Sequence, residues 1–590
     1  MKTKIAGTIS VKIIPVFMVF LLVFTNILMA QDKAARIDEI LSKYNMAGKF
    51  NGSALVAENG RVIYEKGFGY ANIEWDIFNT PDTKFRIGSI TKQFTSMLIM
   101  QLVEQGKIKL DGRITDYLPY YRKETGDKVT IHHLLTHTSG IPSYTSLPTF
   151  GKTNKMPYKP DEFVQQFCSG DLEFTPGTQF KYNNSGYFIL GAIIEKLTGK
   201  SYEEALKQNI LEPLGMTNTG YDLSAPIIKN RASGYTKTLS GFSNAEYLDM
   251  SQPYAAGSMY STVRDLYKWE MALYADKLLS EKYKQMIFTP NLEHYGYGWF
   301  ITKKGFKGSK DSITIVHHGG GINGFRAAKI RVPSEKHLVV LLTNAPTAGL
   351  DDLADGIVNI LYNKQDYKEP ENTLAEKIYA SMVKDGTDKA LALYDELKKD
   401  PANKNTEAEF NALGYALMAE KRFADASKVF EKNIQDHPAS FNVYDSMGEL
   451  CYNMGKKEEA IKYYKKSVEL NPENIAGVTM LKEMGVEVAL PKKDEAKTEI
   501  KVKPEILSKY TGKYKLAPEF YLTITTEGEH IFCQATGQQR FEIFPDSETD
   551  FYLKVVPAKI KFSVDEKGIA KSLTLLQNGR VMPADKVENN

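Results

Sequence analysis

The sequence predicts a multidomain chain: a mixed α/β (α+β) region with an antiparallel sheet, an all-α repeat segment, and a small antiparallel β-barrel at the C-terminal end. Three observations carry this reading. Hairpin patterns stand at both ends of the first 365 residues, a 34-residue period follows, and short alternating segments with Gly and Asp turns complete the chain.

In the mixed region, Gly52 to Ala57 and Arg61 to Tyr64 alternate apolar and polar residues around Glu58-Asn59-Gly60, a hairpin signal. Phe325 to Val332 and His337 to Leu342 form a second antiparallel pair, followed by a helix from about Leu350 to Tyr362. Between them, Thr83-Lys84-Phe85-Arg86-Ile87-Gly88 reads as an extended segment turning at Gly88. Phe94, Met97, Leu98, Met100 and Leu102 then continue at helical spacing.

The most informative stretch lies at that helix start. Ser89-Ile90-Thr91-Lys92 places a hydroxyl and an amine one turn apart, on one face, where free backbone N–H groups favour developing negative charge. Lys92 can reach the Ser89 oxygen, and burial would lower its pKa enough to make it a base. The spacing alone is weak, since it recurs at Ser381-Met382-Val383-Lys384 inside an ordinary helical repeat.

Two further motifs add weight. Tyr182-Asn183-Asn184 offers a phenol that can shuttle a proton and an amide that can grip a substrate, although a loop tyrosine capping the next helix would look the same. His318-Gly319-Gly320 lies between strand-like Ile313 to Val316 and Phe325 to Val332. Glycines at a strand edge admit a substrate and expose an N–H for an oxyanion hole; the plainer reading is a glycine loop.

In this order the three elements resemble the serine β-lactamase and penicillin-binding protein superfamily. Within it they are most similar to the class C-like branch of β-lactamases, esterases, D-aminopeptidases and D,D-peptidases. There the second element is Tyr-x-Asn, and many members have His-x-Gly where the β-lactamases have Lys-Thr-Gly. The segments Ile131-His132-His133-Leu134-Leu135-Thr136-His137-Thr138-Ser139-Gly140, Ala255 to Thr262, Tyr295-Gly296-Tyr297-Gly298-Trp299 and Gly324-Phe325 look similar too, so the resemblance spans roughly residues 31 to 365.

The resemblance implies an antiparallel sheet built from both ends of this region, with helices inserted between and Ser89 at their interface. It implies that Ser89 attacks a carbonyl to form an acyl-enzyme while Lys92 and Tyr182 share the proton. Asn184 would orient the substrate, the N–H groups of Ser89 and Gly321 beside Gly320 would form the oxyanion hole, and His318 would contact the carboxylate or leaving group. No metal or organic cofactor is required. A histidine at 318 is mostly neutral, with an ordinary pKa of roughly 6.5. That departure from lysine shifts the expectation away from efficient β-lactam hydrolysis toward esters or D-residue amides and peptides.

A metal site is the rival chemistry: on a helix, His133 and His137 would share a face. No His-Glu-x-x-His motif or third carboxylate accompanies them, and Leu134 and Leu135 lie between, so no metal site is expected. Segments Tyr144 to Pro160 and Asn230 to Tyr254 are read as the loops that shape the site.

The first thirty residues carry Lys2, Lys4 and Lys12, an apolar run from Ile13 to Leu28, then Met29-Ala30-Gln31, the pattern of a signal peptide (residues 1–30) cleaved after Ala30; an uncleaved anchor is the alternative. Its removal takes the formal charge from +3 to about zero, which argues against a nucleic-acid partner. A secreted or periplasmic location follows, with no membrane association after cleavage. The scattered Cys168, Cys451 and Cys533 do not describe a disulfide framework.

Beyond the catalytic region (31–365), Gly414 and Gly448, Ala426 and Ala460, Phe430 and Tyr464, and Pro438 and Pro472 are each 34 residues apart, the tetratricopeptide repeat signature. Ala390, Tyr394 and Pro401 suggest a degenerate earlier copy, so the repeats occupy 370–488. Such repeats bind a protein or peptide partner or act as a brace. Pro491 to Lys497 marks a charged linker (489–504). Segments Tyr510 to Tyr514, Tyr521 to Thr525, His530 to Gln534, Phe541 to Phe544, Phe551 to Val556, Ile560 to Val564 and Ser572 to Gln577 predict the barrel (505–590). It resembles the β-domain appended to many serine β-lactamase-like hydrolases, particularly at Tyr510-Thr511-Gly512-Lys513-Tyr514 and Ser547 to Phe551.

The expected function is a secreted or periplasmic serine hydrolase acting through a Ser acyl-enzyme on an ester, a D-amino-acid-containing peptide or amide, or a β-lactam-like substrate. The alternative is a catalytically silent penicillin-binding-type sensor that signals through its repeats. The intact set Ser89, Lys92, Tyr182 and Asn184 favours the enzyme, because a silent binder has no physical need of a proton relay.

Overall fold

The computed structural model describes residues 32–347, 349–403, 406–487, 502–517, 520–536, 540–553, 558–577 and 580–587. The segment read as a signal peptide and most of the segment read as a charged linker lie outside them. The chain divides into two compact units, Met1–Asp425 and Ala426–Asn590. The division falls inside the helix Phe423–Asp436, within the segment read as repeats.

The sheet of the first unit has six antiparallel strands: β1 (Gly52–Glu58), β2 (Arg61–Phe68), β3 (Phe300–Gly305), β4 (Ser312–Ile322), β5 (Phe325–Val332) and β6 (His337–Thr343). Their order is β3-β4-β5-β6-β1-β2, so strands from both ends of the region meet where Ala54 pairs with Leu341. The β1–β2 turn is tight because Asn59 and Gly60 both have positive φ, as a two-residue hairpin with matching twist requires.

β6 explains how two layers share one sheet. All seven of its residues are buried, and alternate side chains enter opposite cores. Leu338, Val340 and Leu342 face the helical region, while Val339 and Leu341 pack with Ile40 of the helix over residues 32–46 (α1) and with Leu353 and Ile357 of α5 (Leu350–Leu361). Each such fully buried aliphatic side chain contributes about 1.5–3 kcal/mol.

The helical region is organised around α2 (Thr91–Glu104), whose residues from Thr91 to Met100 are all buried. A helix covered on every side needs its polar groups paired. Thr95 donates to Ala255 O at 2.6 Å, and Gln93 Oε1 accepts the Trp269 indole N–H at 3.1 Å. Phe94 stacks on Trp269 of α4 (Val263–Ala272), with ring centroids 4.3 Å apart. A third helix, α3 (Asn184–Thr198), lies against α2.

Helices Leu374–Asp385, Thr387–Leu397 and Thr406–Ala419 complete the described part of this unit's helical segment. Tyr394 and Phe410 face each other with centroids 3.7 Å apart. The second Ser-x-x-Lys sits on the first of these helices with Lys384 exposed, the environment of an ordinary surface lysine.

In the second unit, helices Phe441–Asn453, Lys457–Leu470 and Ile475–Glu483 pack in succession. A Cβ on Gly448 would come within 3.0 Å of the Tyr464 ring, the physical reason for glycine at that repeated position. The barrel is closed and has eight antiparallel strands, one more than the sequence predicts. The additional strand is Arg580–Val587, which contains Pro583. The pairing with strand Gly512–Ala517 covers only Asp585 to Val587, so Pro583 withholds no N–H from that neighbour. The first strand also begins later than expected: Tyr510 belongs to a short turn and accepts a hydrogen bond from Tyr514 at 2.7 Å.

Candidate active site

Ser89 occupies a single 3-10 turn, Gly88–Ile90, that runs into α2. Gly88 has φ +51, and a Cβ there would sit 2.7 Å from Gly321 N. The turn therefore presses its backbone against β4, and only glycine fits both the conformation and the contact. β4 itself runs to Ile322, so the His-Gly-Gly motif is not a loop after a strand ending at Val316 but the strand's own continuation. β3 pairs with β4 only as far as His317, and the Ser89 turn meets the strand just beyond.

Gly320 and Gly321 differ in what surrounds them. A Cβ on Gly320 would fall 1.9 Å from Ile87 O and 3.2 Å from Ser89 N, whereas one on Gly321 would meet nothing within 4 Å. Gly321 is exposed and borders, with Ser89 and Asn184, a cleft of about 200 Å³. Tyr144, Thr145, Leu248 and Gln252 from the two anticipated loops also line it. A larger cleft of about 520 Å³ around Lys207, Tyr221 and Tyr260 shares no residue with it.

Lys92 is completely buried, and desolvation holds its pKa well below the ordinary lysine value. Its ammonium nitrogen lies 3.0 Å from Ser89 Oγ, 2.9 Å from Asn184 Oδ1 and 2.8 Å from Ala256 O. The Ala256 carbonyl leaves no signal in the sequence, because a backbone acceptor is indifferent to residue type. Asn184 turns its other side outward, donating from Nδ2 to Thr145 Oγ1 at 3.3 Å.

Tyr182 lies beside this pair, its ring 4.9 Å from Lys92 Nζ. Burial pushes its phenol up while nearby Ser89 pulls it down, and its hydroxyl makes no hydrogen bond of regular geometry. The helix cap that Tyr182 could have supplied belongs to its neighbour: Asn183 Oδ1 accepts the Gly186 N–H at 2.8 Å. Asn183 N–H also donates to His137 Nδ1 at 3.1 Å.

His137 corrects the premise of the metal reading. The helix there is only Ile131–Leu135, and His137 follows it with φ +58, so it does not share a helical face with His133. Instead its ring packs 4.3 Å from Tyr182 and 4.6 Å from Tyr295. Backbone bonds from Lys181 to His137 O (2.9 Å) and from Gly177 to Thr138 O (2.8 Å) tie this loop to the segment entering Tyr182.

His318 is buried beside Tyr182 and Tyr295 and is not among the residues that line the cleft. Its Nδ1 lies 2.6 Å from Gly319 O, which can only accept, so Nδ1 carries the proton and Nε2 accepts from Tyr295 OH at 3.1 Å. Burial, reinforced by Lys92, pulls its pKa down to about 3. The expected contact of His318 with a substrate carboxylate is not offered by this arrangement.

A serine, a buried lysine, a tyrosine and an amide converging between an antiparallel sheet and a mostly helical region define a class of serine hydrolases. Residues 36–363 match the Beta-lactamase family model, and the chain belongs to that family. Residues 446–474 match a tetratricopeptide repeat and residues 496–585 a domain of unknown function. The chain is 30% identical over 315 residues to the putative penicillin-binding protein PbpX of Bacillus subtilis (strain 168), covering 53% of this chain and 75% of that protein. It is 25% identical over 573 residues to penicillin-binding protein 4* of the same organism, covering 93% and 98%. Among solved structures, D-amino acid amidase from Ochrobactrum anthropi SV3, complexed with L-phenylalanine amide, is similar with a TM-score of 0.50 and 26% identity, over 56% of this chain and 99% of that one.

Proposed function

We propose that this protein is a secreted or periplasmic serine hydrolase acting through a Ser89 acyl-enzyme on an ester, a D-amino-acid amide or peptide, or a related acyl compound. The single observation that carries the reading is the surroundings of Lys92 Nζ. A neutral amine has two N–H bonds and one lone pair. Ala256 O and Asn184 Oδ1 can take the two N–H bonds, leaving the lone pair for the Ser89 proton.

Ser89 Oγ then forms a bond to the substrate carbonyl as its proton passes to Lys92. The N–H groups of Ser89 and Gly321 hold the resulting oxyanion. Collapse expels the leaving group, which takes a proton from Lys92 by way of the Tyr182 phenol. Water, deprotonated by the same pair, releases the acid and restores Ser89. The similarity to a D-amino acid amidase supports amides among the substrates, and the tetratricopeptide match supports a protein or peptide partner for the repeats.

Turnover of a p-nitrophenyl ester, D-phenylalanine amide and benzylpenicillin by wild type and Ser89→Ala tests the proposal. Turnover of at least one compound, lost in the variant, is expected. Equal turnover by both proteins would refute it.

A further inference from the structure

The geometry points to a substrate that carries no carboxylate near the reacting carbonyl. This inference rests on the hydrolase reading above and narrows it. The cleft beside Ser89 is walled by Tyr144, Phe150, Leu248 and Ile322, with the neutral amides of Asn184 and Asn323 at its polar side. Among the described residues, none that lines it is Lys, Arg, Asp or Glu.

The two groups behind that lining do not supply the missing charge. Lys92 has no exposure, and its nitrogen is taken up by Ser89, Asn184 and Ala256. As the base it must also be neutral when Ser89 attacks. His318 faces Tyr295 and its own chain, and as a neutral imidazole it has its one N–H already committed to Gly319 O. A carboxylate seated against this apolar wall would give up part of its water and meet no cation among the lining residues, a net cost. A neutral acyl group gives up far less and gains contact with the apolar wall.

Esters and amides without a carboxylate near the reacting carbonyl are therefore the substrate class. β-Lactams and peptides ending in a free carboxylate next to the scissile bond are disfavoured by the same argument, whatever the related proteins bind.

The experiment compares two substrates that differ in one charge and one methyl group: the mono-p-nitrophenyl ester of adipic acid and the same compound with its free carboxyl masked as a methyl ester. Each rate is corrected for uncatalysed hydrolysis and for Ser89→Ala. The masked compound should have the higher kcat/KM by on the order of 100-fold, as burial of an unpaired carboxylate demands. Asn323→Lys, which brings a cation to the cleft, should narrow that preference by roughly threefold or more.

Comparable Ser89-dependent rates for the two compounds would overturn the inference and leave the hydrolase reading intact. A preference that Asn323→Lys does not narrow would trace the discrimination to something other than charge and would also overturn it. If neither compound acylates Ser89, the hydrolase reading falls and the inference with it.

Discussion

Lys92 Nζ and Ser89 Oγ lie 3.0 Å apart, with the lysine wholly buried and the serine at the edge of an open cleft. One helical turn accounts for the distance, and the packing of α2 on every side accounts for the burial. The proposed reactivity rests on the combination: an amine kept from water, touching a hydroxyl that a substrate can reach.

Removing either proton carrier should slow acylation without unfolding the protein. Lys92→Ala and Tyr182→Phe are each expected to lower the acylation rate by roughly two to four orders of magnitude. Stopped-flow release of p-nitrophenol, with circular dichroism as the control for folding, checks this. A Tyr182→Phe variant with the wild-type rate would remove the phenol from the relay.

The rate should rise with pH through the Lys92 titration. Burial lowers that pKa, so the neutral amine is populated far below the ordinary lysine value of about 10.4. The ascending limb of kcat/KM should therefore end well before that value. Burial raises Tyr182, so its phenol stays protonated across the same range and adds no limb of its own. An ascending limb centred near an ordinary lysine pKa would contradict the assignment of Lys92 as base.

Two adjacent glycines should respond oppositely to one methyl group. Gly320→Ala places Cβ 1.9 Å from Ile87 O, so the Ser89 turn or β4 must move, and a displaced oxyanion donor costs about 10²–10³ in kcat. Gly321→Ala meets nothing within 4 Å and should fold as wild type. Thermal melts and kcat for the pair decide the matter, and equal damage by both would contradict the packing described.

Glu270 should be a stability residue. It is fully buried, with Lys329 Nζ at 2.5 Å and Arg331 Nε at 2.6 Å. Burial pushes its carboxyl up, and the two cations more than offset that, holding it below its ordinary value. Glu270→Gln leaves two buried cations without an anion and should cost roughly 3–5 kcal/mol, read from the shift of a urea unfolding midpoint. A loss under about 1 kcal/mol would mean that water reaches the pair in the variant.

Local spacing makes much of this site legible in the sequence. Ser89 and Lys92 share a face because a helix repeats every 3.6 residues, and Asn59-Gly60 forces a hairpin because both residues tolerate positive φ. The antiparallel sheet and the barrel follow from strand alternation. What stays hidden depends on groups brought together from afar or on backbone atoms. The Lys92 bond to Ala256 O spans 164 residues and the Glu270 bond to Lys329 spans 59. His137 misleads because its spacing from His133 implies a helix that in fact ends at Leu135. His318 points to the right strand, but only the packing of Tyr295 shows that its ring is buried and its Nε2 already bonded. Pro583 conceals the eighth barrel strand, since a proline in a strand is allowed only where a neighbour asks for no N–H.

The central claim is that Ser89 is a nucleophile activated by Lys92, and intact mass spectrometry of the purified protein after exposure to a fluorophosphonate tests it most directly. A single adduct on the wild type, absent from Ser89→Ala and strongly slowed in Lys92→Ala, is the predicted result. An unlabelled wild type, or labelling that persists in Ser89→Ala, would contradict it.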